Sequence, residues 1–267
     1  MSFTYFHHNR PEKARIRTLL VLSLLGLSTV FSSCDKNEQE GYPATMQVFN
    51  ALDDGLALYT NLSGAHPIRY NASLQIRNKL YDQRNNLLYL DKPMQRVEFY
   101  SSKDTMPDDR PVLSVEADLQ KSGIYSLFLF HEKSNAASLL VKDNVPPINR
   151  SDSSTHLRFA NFSETQSISV NIKGAPNGSF VANLAYKSMS DFVELEANVS
   201  VQDYIFEIRE QATGNLLGSF TTTGLNPRNN FPGAVNNWIF KSNTLVFTGK
   251  PGAAFPNNYR TIVMNHR

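Results

Sequence analysis

From Tyr42 onward, short runs that alternate apolar with polar residues, or that are rich in β-branched and aromatic side chains, recur about every ten residues. No stretch there keeps its apolar residues at the i, i+3, i+4 spacing of an amphipathic helix, so the chain reads as all-β. The predicted strands of a first set are 46–50, 56–59, 87–90, 96–100, 112–117, 124–130 and 138–142. A second set comprises 157–160, 167–172, 191–195, 204–209, 216–221, 237–240, 244–248 and 260–264. Asp53-Asp54-Gly55, Asn177-Gly178 and Thr213-Gly214-Asn215 punctuate the gaps with turn residues. About seven strands per hundred residues is the density of a β-sandwich. A composition 41% hydrophobic and 11% aromatic supplies the core that such a fold needs and excludes a disordered chain.

Between the two sets, Pro146-Pro147 removes two backbone donors and a Ser-rich polar run follows as far as Ser154. The expectation is therefore two tandem immunoglobulin-like β-sandwich domains, over 43–147 and 156–267, joined by a linker at 148–155. Three segment pairs suggest that the halves are related: 46–51 with 157–162, 94–99 with 201–206, and 112–115 with 217–220. Their offsets of 111, 107 and 105 drift as loop lengths would make them. In the first pair each half opens with an alternating strand that ends on asparagine, Asn50 or Asn161.

His156-Leu157-Arg158-Phe159-Ala160-Asn161-Phe162-Ser163, arriving just after the run from Leu139 to Pro147, resembles the junction between repeats of the DUF4397 family. Asn183-Leu184-Ala185-Tyr186 followed by Ser190-Asp191-Phe192-Val193-Glu194-Leu195 is similar to a second stretch of that family. The resemblance implies a secreted or lipid-anchored bacterial β domain, of the kind common in Bacteroidetes, and brings no catalytic residue with it. Glu196-Ala197-Asn198 departs from the family's Pro-Ala-Gly turn, and the loop at 226–237 is extra.

The amino-terminal region carries a different signal. An apolar stretch of 13 residues, Leu19 to Phe31, follows Arg10, Lys13, Arg15 and Arg17. It is shorter than the roughly 20 residues of a membrane-spanning helix, and it reads as a secretory signal over 1–33. Phe31-Ser32-Ser33-Cys34 resembles the lipobox of bacterial lipoproteins, with phenylalanine where leucine or valine is usual. Cys34, the one cysteine, is the expected lipidation site; no intrachain disulfide or multi-cysteine zinc site is available to the chain. The polar, acidic segment 34–42 is expected to be a flexible tether, and it resembles the signal that sends Bacteroides-type lipoproteins to the exterior face of the outer membrane. Removing 1–33 takes four of 26 basic residues and one of 24 acids, leaving 22 against 23. The basic character belongs to the leader, so no nucleic acid is expected as a partner.

Motifs for chemistry are few. Gly249-Lys250 is followed by Pro251 rather than the hydroxyl residue of a phosphate-binding loop, and His131-Glu132 has Asn135 where a second zinc ligand would stand. His66, His131, His156 and His266 are widely spaced and read as surface residues. Asp53-Asp54-Gly55 and Asp108-Asp109 lack the alternating spacing of a calcium loop, and no cofactor is nominated. A catalytic carboxylate pair has no motif here, although 23 acids leave the pairing open. Phe231, Trp238 and Tyr259 lie among Pro-, Gly- and Asn-rich loops and are the candidate ligand-binding aromatics, with strand-core packing as the alternative for Trp238. Asp104-Thr105-Met106 resembles a Bacteroides-type O-glycosylation acceptor, which nominates Thr105. These features favour a lipid-anchored, non-enzymatic surface protein that recognises a glycan, peptide or partner protein. An extracellular polymer hydrolase and a structural spacer of an outer-membrane complex are the alternatives.

Overall fold

Six of the seven residues of β1 (Ala44–Asn50) are buried, and so are all eight of β16 (Ser242–Gly249). Strands covered on both faces belong inside a stack of sheets rather than at its surface. The computed structural model describes residues 43–101, 110–164, 167–198, 200–225 and 235–266. The first half contains β1, β2 (Leu58–Asn61), β3 (Gln75–Ile76), α1 (Gln83–Asn86), β4 (Leu87–Leu90), β5 (Met94–Ser101), β6 (Leu113–Asp118), β7 (Ile124–Phe130) and β8 (Ala137–Lys142). The second contains β9 (Ser154–Ser163), β10 (Ser167–Ile172), β11 (Val181–Ala185), β12 (Ser188–Met189), β13 (Val193–Glu196), β14 (Ile205–Glu210), β15 (Leu216–Thr221), β16 and β17 (Arg260–Asn265).

The first half has sheets of order β4-β1-β7-β8 and β3-β2-β5-β6. The second has β12-β9-β16-β17, with β13 also on β9, and β11-β10-β14-β15. Strand for strand the two orders are the same, and in each half the opening strand pairs in parallel with the penultimate one, β1 with β7 and β9 with β16. The segments matched in the sequence fall on β1 and β9, on β5 and the approach to β14, and on β6 and β15.

The chain is thus all-β, with a sandwich in each half. Met46, Val48, Leu127 and Leu129 meet Leu58, Val97, Phe99 and Val115 in one core. Leu157, Phe159, Leu245 and Phe247 meet Ile168, Val170, Phe206 and Ile208 in another. The opposite faces of β1/β7 and β9/β16/β17 form a third, where Phe49, Phe128 and Phe130 pack on Ala160, Phe162, Val246, Ile262 and Met264. Phe128 stacks on Phe162 across this seam at 4.4 Å between centroids.

One expected strand is absent. Residues 237–240 form bends and turns, because the Asn236 side-chain oxygen accepts from the amides of Trp238 (2.8 Å) and Ile239 (3.0 Å). That local pairing competes with a ladder, and Phe240 takes a left-handed φ of 59°.

Candidate functional site

β16 alternates so that Leu245 and Phe247 enter the second core, which places Asn243 on the same inward face at the strand's beginning. There the space between the sheets opens into a cleft of about 360 Å³, lined by Thr223, Asn237, Trp238, Lys241, Asn243, Val263 and Asn265. Asn243 lies opposite Asn265 of β17 and is 1% exposed, yet among the described residues neither its amide nitrogen nor its carbonyl oxygen has a hydrogen-bond partner. An unpaired buried amide of this kind costs about 1–3 kcal/mol. The lining is three carboxamides, a hydroxyl, an ammonium, an indole and one valine side chain. Its amides donate and accept in equal measure, which suits a neutral, multiply hydroxylated ligand.

Trp238 supplies a wall and no open platform. It is 7% exposed, its ring N–H donates to the Thr223 carbonyl at 3.1 Å, and it packs edge-on against Phe220. Tyr259 stacks on Phe247 at 5.2 Å. Since Thr248 pairs with Arg260 and Asn243 with Asn265, Tyr259 lies at the far end of β17 from the cleft. From Asn265 back to Tyr259 is about 20 Å of extended chain, so Trp238 and Tyr259 are not brought together. Phe231, Thr105 and Cys34 lie outside the described residues. Asn243 had no motif in the sequence; its signal was a polar residue at an inward position of an otherwise apolar alternation.

Parallel strands deliver their carboxyl ends to one place, and a second polar cluster forms there. Asp53 follows β1, His131 follows β7, Glu164 follows β9 and Lys250 follows β16. Lys79, fully buried at a left-handed φ of 47°, is pinned by its own amide to the Asn50 carbonyl at 2.8 Å. Its Nζ donates to Asn257 Oδ1 at 2.8 Å and lies 3.5 Å from Asp53 Oδ1. Lys250 reaches Glu164 at 2.7 Å and Asp53 at 3.8 Å. Burial raises the Asp53 carboxyl above its ordinary value, against the pull of Lys79 and Lys250. Burial likewise lowers the Lys79 ammonium, against the pull of Asp53. With two ammonium groups already beside it, Asp53 is poorly placed to hold a calcium ion.

The seam between the halves carries a third cluster. Arg158 Nη2 donates to Asp143 at 2.6 Å, Ser126 Oγ donates to the same carboxylate at 2.7 Å, and Arg158 Nε donates to Thr244 Oγ1 at 2.8 Å. His266, expected at the surface, is 6% exposed and completes the network through Thr244 Oγ1 at 2.6 Å and Gln47 Nε2 at 3.3 Å. Spacing along the sequence could not show this, because His266 lies just past β17 and meets Gln47 of the other half. Ser126, His266 and Asp143 are a nucleophile, a base and an acid. The serine nonetheless donates to the aspartate, not to the imidazole, and all three are sealed from solvent, so they do not form a hydrolytic triad.

No family model and no curated protein matches the chain. Among solved structures, a candidate adhesin from Bacteroides ovatus is similar at 12% identity and a TM-score of 0.23, over 86% of this chain and 98% of that one. A streptococcal virulence factor that binds α-glucan aligns at 10% identity and 0.23, over 77% and 93%. The fimbrial anchor protein Mfa2 from Porphyromonas gingivalis aligns at 6% identity and 0.24, over 84% and 96%. No site residue is carried over from these likenesses.

Proposed function

We propose that the chain is a lipid-anchored surface protein, of the DUF4397 kind that its repeat junction resembles, and that it binds a glycan without turning it over. The observation that carries this reading is the cleft's polar lining, in which the Asn237 carboxamide is exposed, that of Asn265 is half-buried and that of Asn243 is buried without a hydrogen-bond partner among the described residues. Sugar hydroxyls hydrogen-bond to the exposed Asn237 carboxamide and the half-buried one of Asn265, while Trp238 supplies an apolar wall beside them. Among the described residues the lining has no carboxylate and no imidazole, the groups that most often exchange protons in hydrolysis. Cys34 and the acidic tether after it supply the anchor, in the outer membrane and facing out.

Glycan arrays followed by calorimetry on the full chain test the binding. Asn237→Ala removes an exposed amide from the cleft, so affinity for the selected glycan falls about tenfold or more. The same change leaves the melting temperature nearly unaltered, since the side chain it truncates is exposed. Product formation from the bound polymer, or unchanged affinity in the variant, overturns the reading; silence across the array favours a spacer. For the anchor, alkyne fatty-acid labelling marks the wild type and spares Cys34→Ala, and equal labelling removes the lipoprotein claim.

A further inference from the structure

Lys79 and Asn257 are 178 residues apart in sequence, one in the first half and one in the second, and their side chains meet at 2.8 Å. We propose that they become joined by an intramolecular isopeptide bond, formed without another enzyme and assisted by Asp53, which straps the two halves together covalently.

Three features make the site reactive. The first is approach. With Nζ 2.8 Å from Oδ1, the carbonyl carbon lies no more than about 4 Å away, one C=O bond further. Turning the terminal amide about its broad torsion brings the nitrogen to attacking distance. The second is the state of the amine. A lysine attacks only when neutral, and the Lys79 side chain has no exposed surface, so burial disfavours its charged form. The third is the acid. Asp53 stands 3.5 Å from the same nitrogen with its carboxyl raised by burial, so it is poised to pass protons between the attacking and leaving nitrogens.

In the reaction the Nζ lone pair attacks Cγ of Asn257, forming the N–C bond. Asp53 takes a proton from Nζ and delivers it to Nδ2, the Cγ–Nδ2 bond breaks, and ammonia leaves. Nothing is oxidised or reduced, and no co-reactant is needed. The surroundings fix both partners: the Lys79 amide is held by Asn50, and the Asn257 backbone by Ala254 (2.8 Å) and Lys250 (2.8 Å).

Peptide mapping of the folded full chain decides the matter. Trypsin spares a substituted lysine and the Lys250-Pro251 bond, so the expected product joins residues 78–84 to 242–260. Its mass is the sum of the two peptides less about 17 Da, the ammonia lost. Two unlinked peptides from folded wild-type protein overturn the proposal. A loss of about 18 Da, mapped to Lys79 and Asp53, also overturns it, because the bond would then have formed with the aspartate. Asp53→Asn keeps the side chain's size and removes its acid; the expected result is folded protein with the linkage lost or much slowed. Full linkage in that variant removes the role given to Asp53. Lys79→Met supplies the unlinked reference.

Discussion

The Tyr81 hydroxyl donates to Gln47 Oε1 at 2.7 Å, which turns the Gln47 amide nitrogen toward Nδ1 of His266 at 3.3 Å. That nitrogen is therefore the acceptor, and the ring proton sits on Nε2, facing Thr244 Oγ1 at 2.6 Å. Protonating Nδ1 would set two donors against each other and place a cation beside Arg158 in a dry seam. Burial first, and Arg158 second, accordingly hold the His266 pKa down to about 3 from 6.5. The folded pKa lies below the unfolded one, so the unfolded chain binds a proton that the native chain refuses as pH falls below 6.5. This contribution to stability is intact above that pH and declines toward pH 3. Between pH 7 and pH 5 the loss is about 2 kcal/mol. Asp143 faces the same histidine at 3.7 Å, and its carboxyl is raised by burial, which acts in the opposite sense. The histidine's share is thus read as a difference. Denaturant titrations at pH 7 and pH 5 should show a steeper loss in the wild type than in His266→Gln, and equal losses would remove the argument.

Asn50 and Asn161 show how much of each element the sequence disclosed. Both end an alternating strand at an offset of 111, and that pairing was legible because the flanking apolar pattern repeats with it. The structure supplies the reason. Asn50 Oδ1 accepts from the amide of Leu52 and its Nδ2 donates to Ile76 of β3; Asn161 Oδ1 accepts from the amide of Ser163 and its Nδ2 donates to Leu184 of β11. Each asparagine ties the end of its half's first strand to the opposing sheet, so the correspondence runs on to Asp53 and Glu164 in the polar cluster. The two-residue strands β3 and β12 were not legible, since a period of two needs more residues to show. Lys79 and Asn257 were not legible either, because nothing local marks a contact made across the seam. His131, just after β7, and Gly249, the last residue of β16, both take positive φ, 71° and 108°, and their carbonyls accept from the amides of Asp53 and Glu164. A Cβ on Gly249 would strike the backbone carbonyl of Asn258, next to the proposed bond. Gly249→Ala should therefore destabilise by about 2 kcal/mol or more and reduce the Lys79–Asn257 linkage. Thermal melting and peptide mapping read the two effects separately, and a variant with wild-type melting would show that the loop yields.

At the scale of the molecule the two halves are each closed by their own core and are also pressed together by a third. Burying a large apolar side chain stabilises by about 1.5–3 kcal/mol, and Phe49, Phe128, Phe130, Phe162 and Met264 are all nearly or wholly buried in that seam. Cutting the chain in two would bare these rings and leave Arg158 and Asp143 unpaired, so separately expressed 43–149 and 154–267 should aggregate or bind hydrophobic dye. The full chain should unfold in a single cooperative transition. Phe162→Ala removes the ring that stacks on Phe128 and should lower stability by about 3–5 kcal/mol, splitting the transition if the seam is what couples the halves. Two independent transitions in the wild type, neither moved by Phe162→Ala, would mean that the halves unfold separately. The turn at 149–153 then distinguishes packing from a covalent strap. Its residues Asn149, Arg150, Ser151 and Asp152 are exposed, and exposed turns are where proteases cut first. After limited nicking there, halves held by packing alone stay together in buffer and part on a denaturing gel. Halves joined through Lys79 and Asn257 run as one band even when fully unfolded, and Lys79→Met should convert that band into two.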